Sequence, residues 1–311
     1  MKMLFAVPLA PPYSRVGAWL ATLGYAKHMQ KRGHEVTVVT LSANHPPYHF
    51  DGLRILPASR SKMPLYADAD VILSHLGDNN RPARHAADLG TPFVRFVHGI
   101  HGQEQARLVR HGHPALVVYP SAATRDEVGH SGPSIVVHPV TDLDAYRVEP
   151  AGTEVTLVNM APEKGGHLFW KLADALPHLP FLGVWGGYGS QVIRTRRNVA
   201  TLMPVSDARR IYRRTRILLM PSITETYGRV GIEAAVSGIP IIAHPSPGLR
   251  EALGDAPMWL NRADLDAWVD GIRTLAMPSV LRAARERSRA VAEALDPHAE
   301  LESLAEAIEA L

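Results

Sequence analysis

The chain of 311 residues contains no cysteine, which excludes disulfides, thiolate zinc sites and cysteine nucleophiles. Lysine is scarce, at six residues. The positive charge therefore rests on arginine, whose planar and permanently charged guanidinium suits phosphate and carboxylate partners. Aromatic residues amount to 6%, and no aromatic–basic stripe of the kind that tracks nucleic acid is present. No apolar run approaches the ~20 residues of a membrane-spanning helix, because Arg, His, Asp or Pro interrupts each candidate. There is no His-Glu-x-x-His pair, no Cys/His ligand set and no Walker loop. The opening MKMLFAVPLAPP has an apolar core of about seven residues, the lower bound for a secretory leader. It reads better as a first buried strand, and a cytoplasmic protein is expected.

What remains is an ordinary globular mixture, with 46% hydrophobic and 20% charged residues and a net charge of +3. Clustered arginines (Arg194, Arg196 and Arg197, then Arg209, Arg210, Arg213, Arg214 and Arg216) read mainly as solvated faces with acidic neighbours. Short apolar runs alternate with helical patterns, the signature of parallel sheets with crossover helices. Strands are expected at residues 3–7, 35–40, 53–56, 71–74, 93–97, 115–119 and 134–137. After an aperiodic stretch over residues 139–153, the alternation restarts with strands at 155–158, 181–185, 199–202, 217–220 and 239–243. Gly33 closes a helix over residues 17–32, and Pro278 and Pro297 separate C-terminal helices. Two α/β domains follow, residues 1–140 and 153–295, with a last helix over 296–311 expected to pack back on the first domain.

The most informative segment is PSITETYGRVGIEAAVSGIP, residues 221–240. A buried strand ends at Pro221, Glu225 stands on a loop, and Gly228 permits a tight turn. A helix then runs from Arg229 to Ser237, with Glu233 inside it. This arrangement directs the backbone amides near Tyr227, Gly228 and Arg229 to the carboxyl edge of a sheet, where open α/β folds bind ligands. A second segment, NMAPEKGG (residues 159–166), follows the first strand of the C-terminal half. It places Lys164 before Gly165, whose missing side chain allows close backbone approach. The ordinary roles of these residues would be a solvated loop acid, a helix acid and a turn lysine.

The spacing Glu225, Gly228, Glu233, followed by SGIPIIA, resembles the donor-binding signature of retaining GT-B glycosyltransferases, glycosyltransferase family 4 in particular. The resemblance implies an α/β GT-B fold, two Rossmann-like domains facing a central cleft. It implies that Glu225 contacts hydroxyls of the donor sugar and that Glu233 holds the ribose of the nucleotide. It assigns Lys164 to the donor diphosphate, in a loop where the family usually has an arginine at the position of Asn159. GGYG (residues 186–189) resembles a further donor-side loop, and residues 203–205 fall where the family packs the nucleobase. In the N-terminal half, Gly17 matches the second glycine of a Gly-Gly loop whose first is replaced by Val16. His98, at a strand end, matches a histidine lining the donor sugar, with His101 as second candidate. Ser121 matches a helix-opening serine for which an N-cap role suffices. His34, in RGHEV, is given no chemical role.

The implied activity is metal-independent transfer of a sugar from a nucleoside-diphosphate sugar, with retention of configuration, no cofactor and no metal site. Asp68-Ala69-Asp70 spells a metal-binding triplet but precedes a strand instead of following one, and reads as a surface turn. The acceptor is left open among glycan, lipid, protein and a modified base in DNA; nucleic acid is not otherwise indicated. Two rival readings are a sugar-nucleotide epimerase on the same fold and a nucleotide-sugar-binding protein without catalysis.

Overall fold

Runs of apolar residues that cannot alternate with polar ones have to be covered on both faces, and here they become strands of two largely parallel sheets. The computed structural model describes residues 1–75, 81–99, 112–149, 151–187 and 189–311. They fall into two units, Met1–Thr141 with Pro297–Leu311, and Asp142–Asp296. Among the described residues no helix is long and apolar enough to cross a membrane.

In the first unit, β1 (Lys2–Val7) is buried from Met3 onward and pairs in parallel with β2 (Glu35–Thr40) and β5 (Val71–His75). Helix α1 (Gly17–Lys31) connects β1 to β2 and ends at Gly33, whose φ of 94° suits glycine. Beyond β2 lie β4 (Leu53–Leu56) and β3 (Tyr48–Phe50); β3 is antiparallel and had no counterpart among the expected strands. Its turn is Asp51–Gly52, with both φ positive at 50° and 84°, as a two-residue hairpin turn requires. On the other side of β5 the sheet continues with β6 (Phe93–Phe96), β7 (Leu116–Tyr119) and β8 (Ser134–Val136). Helices α2 (Met63–Ala67), α3 (Arg81–Leu89) and α4 (Ala122–Val128) fill the connections, and Ser121 caps α4 by accepting from Thr124 N at 3.0 Å.

The second unit orders its strands β11-β10-β9-β12-β13-β14, all parallel. They are β9 (Glu154–Val158), β10 (Phe181–Val184), β11 (Val199–Leu202), β12 (Thr215–Met220), β13 (Ile241–Ala243) and β14 (Met258–Trp259). Helices α5 (Gly166–Ala175), α6 (Arg209–Tyr212), α7 (Arg229–Ala235), α8 (Pro247–Leu253), α9 (Leu265–Ala276) and α10 (Pro278–Glu293) connect and cover them. Phe169, Trp170, Phe181, Trp268 and Ile272 are among the residues of the core. Helix α7 stops at Ala235, short of the Ser237 expected. The chain turns there because Gly238 takes a φ of 66°, and the Ser237 hydroxyl accepts from Val148 N at 2.8 Å.

The last helix, α11 (Pro297–Glu309), belongs to the first unit and places Leu301, Leu304, Ala305 and Ile308 in the core beneath α1. In each unit the chain winds outward from a central strand, β1 or β9, and then returns to lay β5 or β12 on that strand's other side. The carboxyl ends of those two adjacent strands mark a point of reversal, the place where open α/β sheets bind ligands.

Candidate functional site

In the second unit the two loops at the reversal point are residues 159–165, after β9, and 221–228, after β12. They are bound together. The Ile223 amide donates to the Glu163 carbonyl at 3.0 Å. Arg262, from the turn after β14, donates Nη1 to the same carbonyl at 3.0 Å and Nη2 to that of Pro162 at 3.1 Å. Across this junction Lys164 Nζ meets Glu225 Oε1 at 2.6 Å, each side chain 17% exposed. The Ser222 hydroxyl donates to the same carboxylate oxygen at 2.7 Å. Glu225 is thus a half-buried, paired acid and not a solvated one.

Two glycines let the loops approach. Gly165 has a φ of 97°, and a Cβ there would lie 2.2 Å from Cγ of Pro221. Gly228 has a φ of 99°, and a Cβ would lie 2.2 Å from Cδ2 of Leu249. Both are required by packing between loops and helices, whatever else they admit. Tyr227 is buried at 1% exposure, so its ring serves the interior.

Glu233 lies within α7 and is 7% exposed. Its Oε2 accepts from the Tyr212 phenol at 2.6 Å, and its Oε1 accepts from Arg229 Nε at 2.6 Å. Arg229 also donates Nη2 to the Tyr146 phenol oxygen, and its guanidinium lies 5.6 Å from the centre of that ring. Burial and the nearby charge of Glu233 push the Tyr212 phenol well above its usual range and raise Tyr146 as well. Burial opposes the charge on Arg229, but Glu233 and Tyr146 outweigh it, and the net direction is upward. The structure therefore brings Lys164 and Glu225 into contact and gives Glu233, on the same loop–helix unit, a separate set of partners. Arg229 enters as a side chain that grips Glu233. Neither Tyr146, Tyr212 nor Ser222 was among the expected site residues.

Asn159 departs from the expected arginine for a local reason. Its backbone has a φ of 71°, a left-handed conformation that asparagine tolerates far better than longer side chains. Its Oδ1 accepts from Ala161 N at 3.1 Å and from Gln191 Nε2 at 3.2 Å. Gln191 Oε1 in turn accepts from Met160 N and Gly186 N, both at 2.9 Å, which ties the loop at 186–191 to the one at 159–165.

In the first unit, Gly17 is the first residue of α1, after the loop that leaves β1. His98 follows β6 and stacks on His75, the last residue of β5, with ring centres 4.6 Å apart. Trp19 meets His75 edge-on at 4.5 Å. His75 and Trp19 were not among the expected site residues, although both stand at strand or helix ends around the reversal point. His101 lies outside the described residues. Asp68 and Asp70 bind Lys2, through its Nζ at 2.8 Å and its backbone N–H at 2.7 Å, as a surface turn. Among the described residues, no three His, Asp or Glu side chains are grouped so as to hold a metal ion.

Residues 160–277 match the family model described as glycosyl transferases group 1. A D-inositol 3-phosphate glycosyltransferase of Mycobacterium sp. (strain KMS) is 27% identical over 180 aligned residues, covering 48% of this chain and 41% of that protein. The chain thus matches less than half the length of this curated relative. Among solved structures, Anabaena HepE in complex with UDP and glucose has a TM-score of 0.81 at 16% identity, covering all of both chains. Sucrose-phosphate synthase from Thermosynechococcus elongatus has a TM-score of 0.77 at 16% identity, covering 99% of this chain and 98% of the other. The fold is that of GT-B proteins, with two α/β units each built on a largely parallel sheet.

Proposed function

We propose that this chain, which carries a group 1 glycosyltransferase domain over residues 160–277, is a retaining, metal-independent glycosyltransferase. It moves a sugar from a nucleoside-diphosphate sugar to an acceptor such as a glycan, lipid, protein or modified DNA base. One observation carries this reading. Lys164 and Glu225 meet at 2.6 Å on the two loops that flank the reversal point of the second sheet. A cation and an acid at that edge suit a diphosphate and the hydroxyls of an adjoining sugar.

The chemistry follows from charge. As the bond between sugar and diphosphate breaks and an acceptor hydroxyl bonds to the same carbon, giving its proton to the departing diphosphate, positive charge develops on the sugar ring and negative charge on the leaving group. The Lys164 ammonium turns from Glu225 to the departing diphosphate, and Glu225, released from it, takes hydroxyls of the donor sugar. Glu233 takes the two ribose hydroxyls. A carboxylate offers about four acceptor positions, and Tyr212 and Arg229 use two of them. Within the second unit, the amides near Tyr227, Gly228 and Arg229 are proposed to border the sugar and diphosphate.

The test begins with a thermal-shift screen of UDP-, GDP- and dTDP-sugars, because a ligand that binds the folded state raises the apparent melting temperature. UDP-glucose comes first, since HepE was crystallised with it. The donor that binds is then offered to acceptor pools, with and without EDTA, and the product's anomeric configuration is read by NMR. Retention that is insensitive to EDTA is expected. Inversion, or activity only with added divalent metal, overturns the corresponding part of the reading. Asn159, committed to its turn, favours one rival, a nucleotide-sugar-binding protein without catalysis. Tight donor binding with neither hydrolysis nor transfer would establish that rival, and turnover of the donor without any acceptor would point to an epimerase.

A further inference from the structure

The partners of Glu233 come from three separate places in the second unit. Tyr212 ends α6, Arg229 opens α7, and Tyr146 lies in the short turn at Asp144–Tyr146, just after the unit begins at Asp142. Glu233 and Tyr212 are buried at 7% and 1% exposure. The Arg229 side chain is 15% exposed. Buried charges of this kind hold their geometry only when each is matched, because removing one partner leaves the other's desolvation uncompensated. The segment carrying Tyr146 is itself tied to the far end of α7. Val148 N donates to the Ser237 hydroxyl at 2.8 Å, and Arg147 Nη1 donates to the Val236 carbonyl at 3.3 Å. Residues 146–148 thus grip both ends of the helix that carries Glu233.

We propose that Tyr146 and Tyr212 are positioning residues for recognition of the donor ribose, Tyr212 by a direct hydrogen bond to Glu233 and Tyr146 through Arg229. The inference rests on the reading above that Glu233 takes the ribose. It goes beyond that reading in making ribose recognition depend on the segment that opens the second unit. Tyr212 and Arg229 hold one acceptor position on each carboxylate oxygen, which fixes the carboxylate plane. The remaining positions then face a vicinal diol without rotation of the side chain, and a ligand lacking one hydroxyl forfeits that alignment.

The test is titration calorimetry of UDP against 2′-deoxy-UDP, or the corresponding GDP pair if the wild-type chain prefers guanine. Tyr146→Phe, Tyr212→Phe and Glu233→Gln are compared with wild type, and thermal unfolding confirms that each variant is folded at the assay temperature. If Tyr212→Phe fails to fold, Tyr146→Phe carries the test alone. Each tyrosine variant is expected to bind the ribonucleotide about fivefold more weakly while binding the 2′-deoxynucleotide as wild type does. Combining either variant with Glu233→Gln should add little. A tyrosine variant with wild-type affinity for both nucleotides, or with equal loss for both, overturns the inference while the donor reading stands. A wild-type chain that binds neither pair, or a Glu233→Gln chain that binds as tightly as wild type, overturns the donor reading and this inference with it.

Discussion

Single side chains at the β9 and β12 loops are committed to one another. Lys164 and Glu225 pair at 2.6 Å with both side chains mostly covered, so changing one alters the charge that the other must balance. With a donor identified by the screen, Lys164→Ala is expected to raise the donor KM about tenfold with a smaller effect on kcat, the cost of one charge-assisted hydrogen bond. Glu225→Ala is expected to raise KM and also to lower kcat; unchanged turnover would strip Glu225 of its role. Because the two touch, the double variant should fall short of the sum of the singles. Asn159 poses the opposite question, whether a cation is missing. Asn159→Arg places a long side chain at a φ of 71° and breaks the bonds to Ala161 and Gln191. Urea denaturation should show a loss of about 1–3 kcal/mol, and calorimetry no gain in nucleotide affinity. A variant as stable as wild type that binds nucleotide more tightly would show that the loop lacked only the charge.

Among the elements, α11 is held to the first unit by both apolar and charged contacts. His28 meets Glu302 at 3.1 Å, His34 meets Glu309 at 2.8 Å and His138 meets Glu300 at 2.7 Å, while Arg32 reaches both Glu302 and Glu309. Hydrogen bonds from Arg32 and then His34 hold the Glu309 carboxyl below the usual carboxylate range, and burial holds the His28 imidazole below its ordinary value. Each folded-state pKa is lower than the unfolded one, so the unfolded chain takes up protons first as pH falls. The contribution of His28 is complete above the ordinary imidazole pKa, and that of Glu309 above the ordinary carboxylate pKa. The seam should therefore weaken in two steps, the first as pH falls below about 6.5 through His28 and the second below about 4.3 through Glu309, seen as a falling melting temperature, and Glu309→Gln should flatten the second step only. A melting curve independent of pH over this range would remove the seam's part in stability. His34, given no chemical role from sequence, has this structural one. Most strands of both sheets were legible as short apolar runs, since a parallel strand is covered on both faces, but the two-residue strand Met258–Trp259 was too short to show a pattern. Tyr48–Phe50 was not legible either, because three half-exposed residues carry no periodicity; the Asp51–Gly52 turn beside it was the available signal. The resemblance singled out Lys164, Glu225 and Glu233, and the structure places the first two in contact while giving Glu233 partners of its own. The tyrosines around Glu233 were not singled out, because Tyr146 and Tyr212 come from segments remote in sequence, and Tyr212 is hidden within an arginine run.

At the scale of the whole molecule, the chain leaves the first unit at Thr141, builds the second through Asp296, and returns to finish the first with α11. Stability and sequence order are thereby uncoupled. Removing residues 297–311 takes from the first unit's core Leu301, Leu304 and Ile308, all at or below 7% exposure, and Ala305. Each of the three larger side chains is worth roughly 1.5–3 kcal/mol in burial, and together they rival the roughly 5–15 kcal/mol by which an ordinary domain is stable. The unit adjoining the cut, residues 142–296, has its own core of Phe169, Trp170 and Trp268 and loses none of those side chains. Truncation after Asp296 should therefore damage the unit farther away in sequence. Amide hydrogen exchange on the truncated chain is expected to show lost protection in β1, β2 and β5 and retained protection in β9, β10 and β12. Calorimetry should still find the nucleotide bound, because Lys164, Glu225 and Glu233 all lie within the intact unit. Protection lost from both sheets together would mean that the two units unfold as one. Protection unchanged in β1 would mean that α11 merely lies on a core that is complete without it.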